Sequence, residues 1–214
     1  MHIKPDKNSK RSVCPFLNSL ANYNYINRTG VFTIEQLVTQ ADTIFNIDPT
    51  VINLFVLLFK RVGFIQGDIL DLSKINVHNF GEHDASLVHD DAINDVVNIH
   101  VNQTLVKELI SFSSDGKHIS LRDLARFRNH RKQTCAKNNP NFTYGLKQDI
   151  LSLGESALLL SVCGDTFKIK ISTVQDILGN EKIPDDFTTP QHRTTILRLL
   201  YIMIKLKVIS IRVK

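Results

Sequence analysis

Apolar residues recur at helical spacing along most of this chain, and polar start and stop signals flank each run. Leu37, Ala41, Ile44 and Phe45 follow Thr33, which with Glu35 and Gln36 makes a helix-start signature, so a helix is predicted over about 33–46. Asp48-Pro49 opens a second helix, since proline suits the first helical position, and the run VINLFVLLF (Val51 to Phe59) continues it towards Gly63 as a buried segment. Leu70 to Ile75 reads as a short helix, followed by a loop holding His78 to Asp84. From Asp90 two helical pieces separate near Val101, the second placing Leu105, Leu109 and Phe112 on one side. Ser120-Leu121-Arg122-Asp123 caps a basic helix to about Asn138, which Asn139-Pro140 ends. Leu146 to Val162 is the strongest amphipathic segment, interrupted only at Gly154 and closed by Gly164. The tail offers a helix near Ser172 to Leu178, a loop through Pro184 and Pro190, a helix over about 191–205 and a short final strand. No repeat and no low-complexity tract interrupts this pattern. The expected architecture is mostly α with little β, in a single domain over 1–214 whose first ten residues form a flexible N-terminus.

Composition narrows the picture. With 214 residues and 43 % hydrophobic positions, the chain can bury one substantial core, and two full domains would be tight. A net charge of +5 suits an anionic partner, but the basic residues gather between Lys117 and Lys137 and in the last ten positions. Arg122, Arg126, Arg128, Arg131 and Lys132 are not interleaved with exposed-looking aromatics, so no nucleic-acid partner is expected, although that helix defines the rival reading of a nucleic-acid binder. Cys14, Cys135 and Cys163 form neither a paired framework nor zinc-type spacing. No run approaches the ~20 apolar residues of a membrane span, and no membrane partner is expected. The amino terminus lacks the apolar segment of a secretory signal, which gives an intracellular location as written; the sequons at Asn27, Asn102 and Asn141 matter only in a secreted protein.

Three segments carry candidate chemistry. Cys14-Pro15-Phe16 puts a thiol where a helix begins, and exposed amides with the positive end of the helix dipole favour a thiolate able to ligate a metal. Taken alone, a cysteine such as Cys14 is most often an inert buried thiol. Glu82-His83-Asp84 with Ser86 offers the carboxylate, backbone carbonyl and hydroxyl that hard cations take; the same residues also make an ordinary capping turn. Glu155 follows Gly154 and precedes Ala157, Leu158, Leu159 and Leu160, so it stands beside an apolar wall, where a carboxylate is costly unless it is paired or functional; otherwise it is a solvated charge on the open helix face.

As an ordered set these segments resemble the haem-thiolate peroxidase family, which includes chloroperoxidase and the fungal unspecific peroxygenases. The matches are Cys14-Pro15 with Leu17-Asn18-Ser19-Leu20-Ala21-Asn22 and a later Gly30, then Glu82-His83-Asp84-Ala85-Ser86-Leu87, then Gly154-Glu155-Ser156-Ala157. The likeness runs from about Arg11 through Pro190, and the EHDAS form is similar to chloroperoxidase and the short peroxygenases.

The resemblance implies that Cys14 is the axial ligand of haem b (iron protoporphyrin IX). It implies that Glu82, the His83 backbone carbonyl and the Ser86 hydroxyl hold Mg2+ or Mn2+ beside a haem propionate. Glu155 would be the distal acid-base residue, oriented by His83, and Asp84 a structural member of the loop. The expected activity is a peroxygenase using hydrogen peroxide to insert oxygen into small apolar or aromatic substrates; a haem haloperoxidase or one-electron peroxidase is the alternative within the family, and a non-catalytic α-helical binding module the alternative outside it. Phe64, Phe80 and Phe112 are pocket candidates for which plain core packing is the favoured reading. Two departures stand out: Val13 replaces a proline common before the cysteine, and Gln148 is not the arginine that longer peroxygenases pair with their glutamate. Members are usually secreted, in contrast to the location read from the amino terminus.

Overall fold

The computed structural model describes residues 1–93 and 99–213. Among them are eight α-helices and two small antiparallel sheets, the mostly-α architecture that the sequence pattern predicts. Helix α1 (Pro15–Asn22) starts with Cys14 extended at its N-cap and Pro15 in the first turn, and all eight of its residues are buried. Strand β1 (Val31–Thr33) runs straight into α2 (Ile34–Phe45), where Thr33 Oγ1 accepts from the Gln36 amide and the Gln36 side chain accepts from the Thr33 amide. Asp48 caps α3 (Pro49–Arg61), β2 (Ile69–Asp71) pairs antiparallel with β1, and α4 (Gln103–Ser111) begins at Asn102. Strand β3 (His118–Ser120) runs into α5 (Leu121–Asn138) through a second reciprocal cap, Ser120 with Asp123. Then come α6 (Leu146–Cys163), β4 (Lys168–Lys170) paired with β3, α7 (Ile171–Val174) continued by a π-helical turn over Gln175–Gly179, and α8 (Ile196–Arg212). Each three-residue strand thus ends on the first cap of a helical segment, so the small sheets fix where those segments start.

The core forms where α8 lies along α5 and α6: Leu124, Phe127, Ala157, Leu160, Ile202 and Leu206 are completely buried. Five expectations need correction. Leu70 to Ile75 is not one helix, because Ile69–Asp71 pairs with β1 and only Leu72–Lys74 turns as a 3-10 segment capped by Asp71. Gly154 does not break α6; a mid-helix glycine costs about 1 kcal/mol, and the buried faces on either side keep the helix continuous. The run in α3 is helical but only partly buried: Val56 and Phe59 face the core while Leu54, Phe55, Leu57 and Leu58 are exposed. The last helix starts later than expected, at Ile196, because Thr194 is held extended against Asn46 and Ile47. It also runs on to Arg212 in place of a final strand, since packing on α5 and α6 overrides the β-branched tendency of Val208 to Val213. Of the first helical piece expected after Asp90, residues 90–93 are not helical, with a turn at 92–93, and 94–98 lie outside the described residues.

Candidate active site

The segment entering α1 is tied down by side chains acting on backbone. Ser12 Oγ accepts from the Cys14 amide at 3.2 Å, Asn18 Oδ1 accepts from the Ser12 amide at 2.9 Å, and Asn18 Nδ2 donates to Ser12 O at 2.6 Å and to Glu181 Oε1 at 2.5 Å. Asn76 clamps the same segment from the other side, accepting from the Val13 amide and donating to Arg11 O. Gly30, at φ +82°, lets Lys10 pass so closely that a Cβ would collide with its carbonyl. The Cys14 sulfur faces the Phe16 and Leu17 amides, yet burial outweighs them and pushes the thiol up to about 11, with the Glu155 carboxylate adding to the rise. The helix start alone therefore keeps sulfur protonated at neutral pH, and a thiolate needs a cation placed against it.

The loop carrying Glu82 to Leu87 lies near the middle of α6. It enters through Gly81, where a Cβ would run into the Ile75 carbonyl oxygen. Glu82 and His83 are buried, and Glu82 Oε2 lies 2.5 Å from His78 Nδ1. His83 Nδ1 is 2.8 Å from the Asp84 carbonyl oxygen, which can only accept, so the proton resides on Nδ1 and Nε2 presents a lone pair. That Nε2 stands 3.7 Å from Glu155 Oε2. Glu155 Oε1 receives the Leu87 amide at 3.5 Å, whereas Oε2 is shut off from solvent with no hydrogen-bond partner, although 26 % of the side chain as a whole is accessible. Burial raises the Glu155 carboxyl to about 7, against the opposing pull of the Leu87 amide and of Arg128 and Arg131. Burial lowers His83 to about 4. Near neutral pH Glu155 therefore passes between its protonated and ionised forms, while His83 stays neutral.

Residues that the sequence reading assigned elsewhere hold this loop in place. Arg131, 5 % exposed, donates through Nε to Ser86 O at 3.0 Å and through Nη2 to His89 O at 3.2 Å, so a cation of the basic helix is turned inward. Arg128 is likewise buried, bonded to Ser152 and Asp149. Asp91 accepts from the Ala85 amide and from Asn139, which supports Ala85 at φ +59°. Asp84 Oδ2 accepts from the Thr143 amide, Ser86 Oγ from the His89 amide, and Gln148 links the start of α6 to Asn79. Only pairing in three dimensions reveals Arg131 and Asp91; in sequence they are a helix charge and an acid in an acidic pair. His78, also without a sequence signal, joins Glu82 and Asp84 in a group whose potential ligand atoms lie within 4.8 Å of one another. Phe64 and Phe80 pack ring to ring with Phe59, and Phe112 packs on Phe127. Cys14, Cys135 and Cys163 are all free.

The donor set fits a haem iron. A buried thiol met by two helix amides lies within electrostatic reach of a carboxyl that has one oxygen unpartnered and buried. Comparison with known proteins agrees with the motif set. Residues 1–192 match the family described as Peroxidase, family 2, and the chain belongs to that chloroperoxidase-like family. It is 26 % identical over 223 residues to the dothistromin biosynthesis peroxidase of Dothistroma septosporum, covering 86 % of this chain and 53 % of that protein. It is 25 % identical to an aromatic peroxygenase of Cyclocybe aegerita (83 % of this chain, 54 % of the relative) and 24 % to one of Coprinellus radians (83 % and 77 %). The chain spans about half the length of the first two relatives.

Proposed function

We propose that this chain binds haem b through Cys14 and uses hydrogen peroxide to oxygenate small apolar or aromatic molecules. The observation that carries the reading is Glu155, a carboxyl near pH 7 in its ionisation, with Oε2 unpartnered 3.7 Å from a neutral His83. A haem held by a thiolate supplies an iron centre at which peroxide binds and O–O cleavage is favoured. Cys14 contributes the sulfur, and the Phe16 and Leu17 amides donate to it once it is anionic. Ionised Glu155 would take the proton from one oxygen of hydrogen peroxide and return it to the other, so that O–O cleavage releases water and leaves one oxygen atom for transfer to the substrate. His83 Nε2, 3.7 Å from Glu155 Oε2, places a neutral ring beside the carboxyl, while the bond from Nδ1 to the Asp84 carbonyl oxygen fixes that ring. Mg2+ or Mn2+ would take Glu82, the His83 carbonyl and the Ser86 hydroxyl, with Asp84 and His78 close to Glu82. The relatives named aromatic peroxygenase support oxygen insertion, and the dothistromin biosynthesis peroxidase supports peroxide-dependent oxidation in the wider sense.

The test is an absorption spectrum of haem-loaded protein, reduced under carbon monoxide. Wild type should show the red-shifted band of thiolate-ligated ferrous haem, and Cys14→Ala should abolish it. A wild type that binds haem without that band overturns the assignment.

A further inference from the structure

Helix α8 is apolar on two sides. Inward, Ile202 and Leu206 are completely buried against α5 and α6. Outward, Leu197, Leu200, Tyr201, Ile204, Val208 and Ile211 are between 41 % and 79 % exposed. At roughly 100° per residue, from 3.6 residues per turn, these six positions fall in one sector about 100° wide, a continuous apolar stripe along the helix. Basic residues rail it: Arg198, Lys205 and Arg212 on one flank and Lys207 on the other, each roughly 70–110° from the stripe's centre by the same helical geometry. The segment contains no acidic residue. Asp149 of α6 reaches Lys207 at 2.6 Å; Arg198 donates to Ser161; Lys205 Nζ sits 4.7 Å from the Tyr201 ring. α8 lies beyond the residues that match the family.

We propose that this stripe docks flat on an anionic membrane surface. Among the described residues no helix is long and apolar enough to cross a membrane, so the geometry is that of a helix lying in the interface. There the apolar sector enters the acyl boundary while lysine and arginine stems run along it and place their charges among the headgroups. A second copy fits less well. Pairing α8 with itself sets cationic rails against cationic rails, and no carboxylate on the helix relieves them. The expected absence of a membrane partner rested on the lack of a spanning run, which does not bear on a helix that lies on the surface.

The test uses the intact chain in flotation with vesicles of phosphatidylcholine, with or without phosphatidylserine, at low and high salt. Wild type should float with the anionic vesicles, and less so at high salt. Leu200→Glu combined with Ile204→Glu should lower the partition coefficient roughly tenfold or more. Lys205→Glu combined with Arg212→Glu should lower it by a similar factor on anionic vesicles only. All four residues lie outside the core, and circular dichroism checks that each variant keeps its helices. Absence of flotation overturns the proposal, as does binding indifferent to both variants. A wild-type dimer in sedimentation velocity that the Leu200/Ile204 variant dissociates assigns the stripe to a second copy and overturns it equally.

Discussion

Replacing Glu155 by Gln should change how stability depends on pH, even in the chain without cofactor. In the folded state burial raises this carboxyl from its ordinary 4.5 to about 7, so between those two values the folded chain keeps a proton that the unfolded chain has released. Stability must therefore fall as pH rises through the window and level off above it. The shift corresponds to about 3 kcal/mol at 1.36 kcal/mol per pKa unit. Because 26 % of the side chain is accessible, screening reduces that ceiling, and a loss of about 2 kcal/mol is expected. Glutamine is nearly isosteric and cannot ionise, so it lacks the slope. His83, lowered to about 4, gives an opposite slope below its ordinary 6.5, but it is present in both proteins and largely cancels in the difference. The assay is urea unfolding of wild type and Glu155→Gln at pH 5 and pH 8, with wild type losing about 2 kcal/mol relative to the variant. Parallel pH dependence in the two proteins refutes the buried-carboxyl reasoning.

In the haem-loaded protein, Glu155→Gln should slow consumption of hydrogen peroxide ~10²- to 10⁴-fold in stopped-flow measurements, and an unchanged rate removes Glu155 from proton transfer. Arg131→Met should destabilise the chain by roughly 2–4 kcal/mol, because the Ser86 and His89 carbonyls lose their buried donor and Asp91 its nearby cation. Chemical denaturation reads this directly, and a change below about 0.5 kcal/mol would show that Arg131 does not clamp the loop.

Several helix starts were legible in the residues themselves. Thr33 with Gln36 and Ser120 with Asp123 close their caps within four residues, and Cys14-Pro15 places its sulfur by the geometry of one turn. Interactions that short depend little on the rest of the chain, so local sequence decides them. The ionisation of the site was not legible. Neighbouring amides favour a Cys14 thiolate, yet burial decides for the thiol, and burial is a property of everything packed around it. Arg131 reads as one more charge on a basic helix until folding brings it against the carbonyls of a loop more than forty residues away. The apolar runs of α3 and α8 likewise announce helices without saying which side meets the core, because periodicity gives the faces of a helix and only its neighbours decide which face they cover.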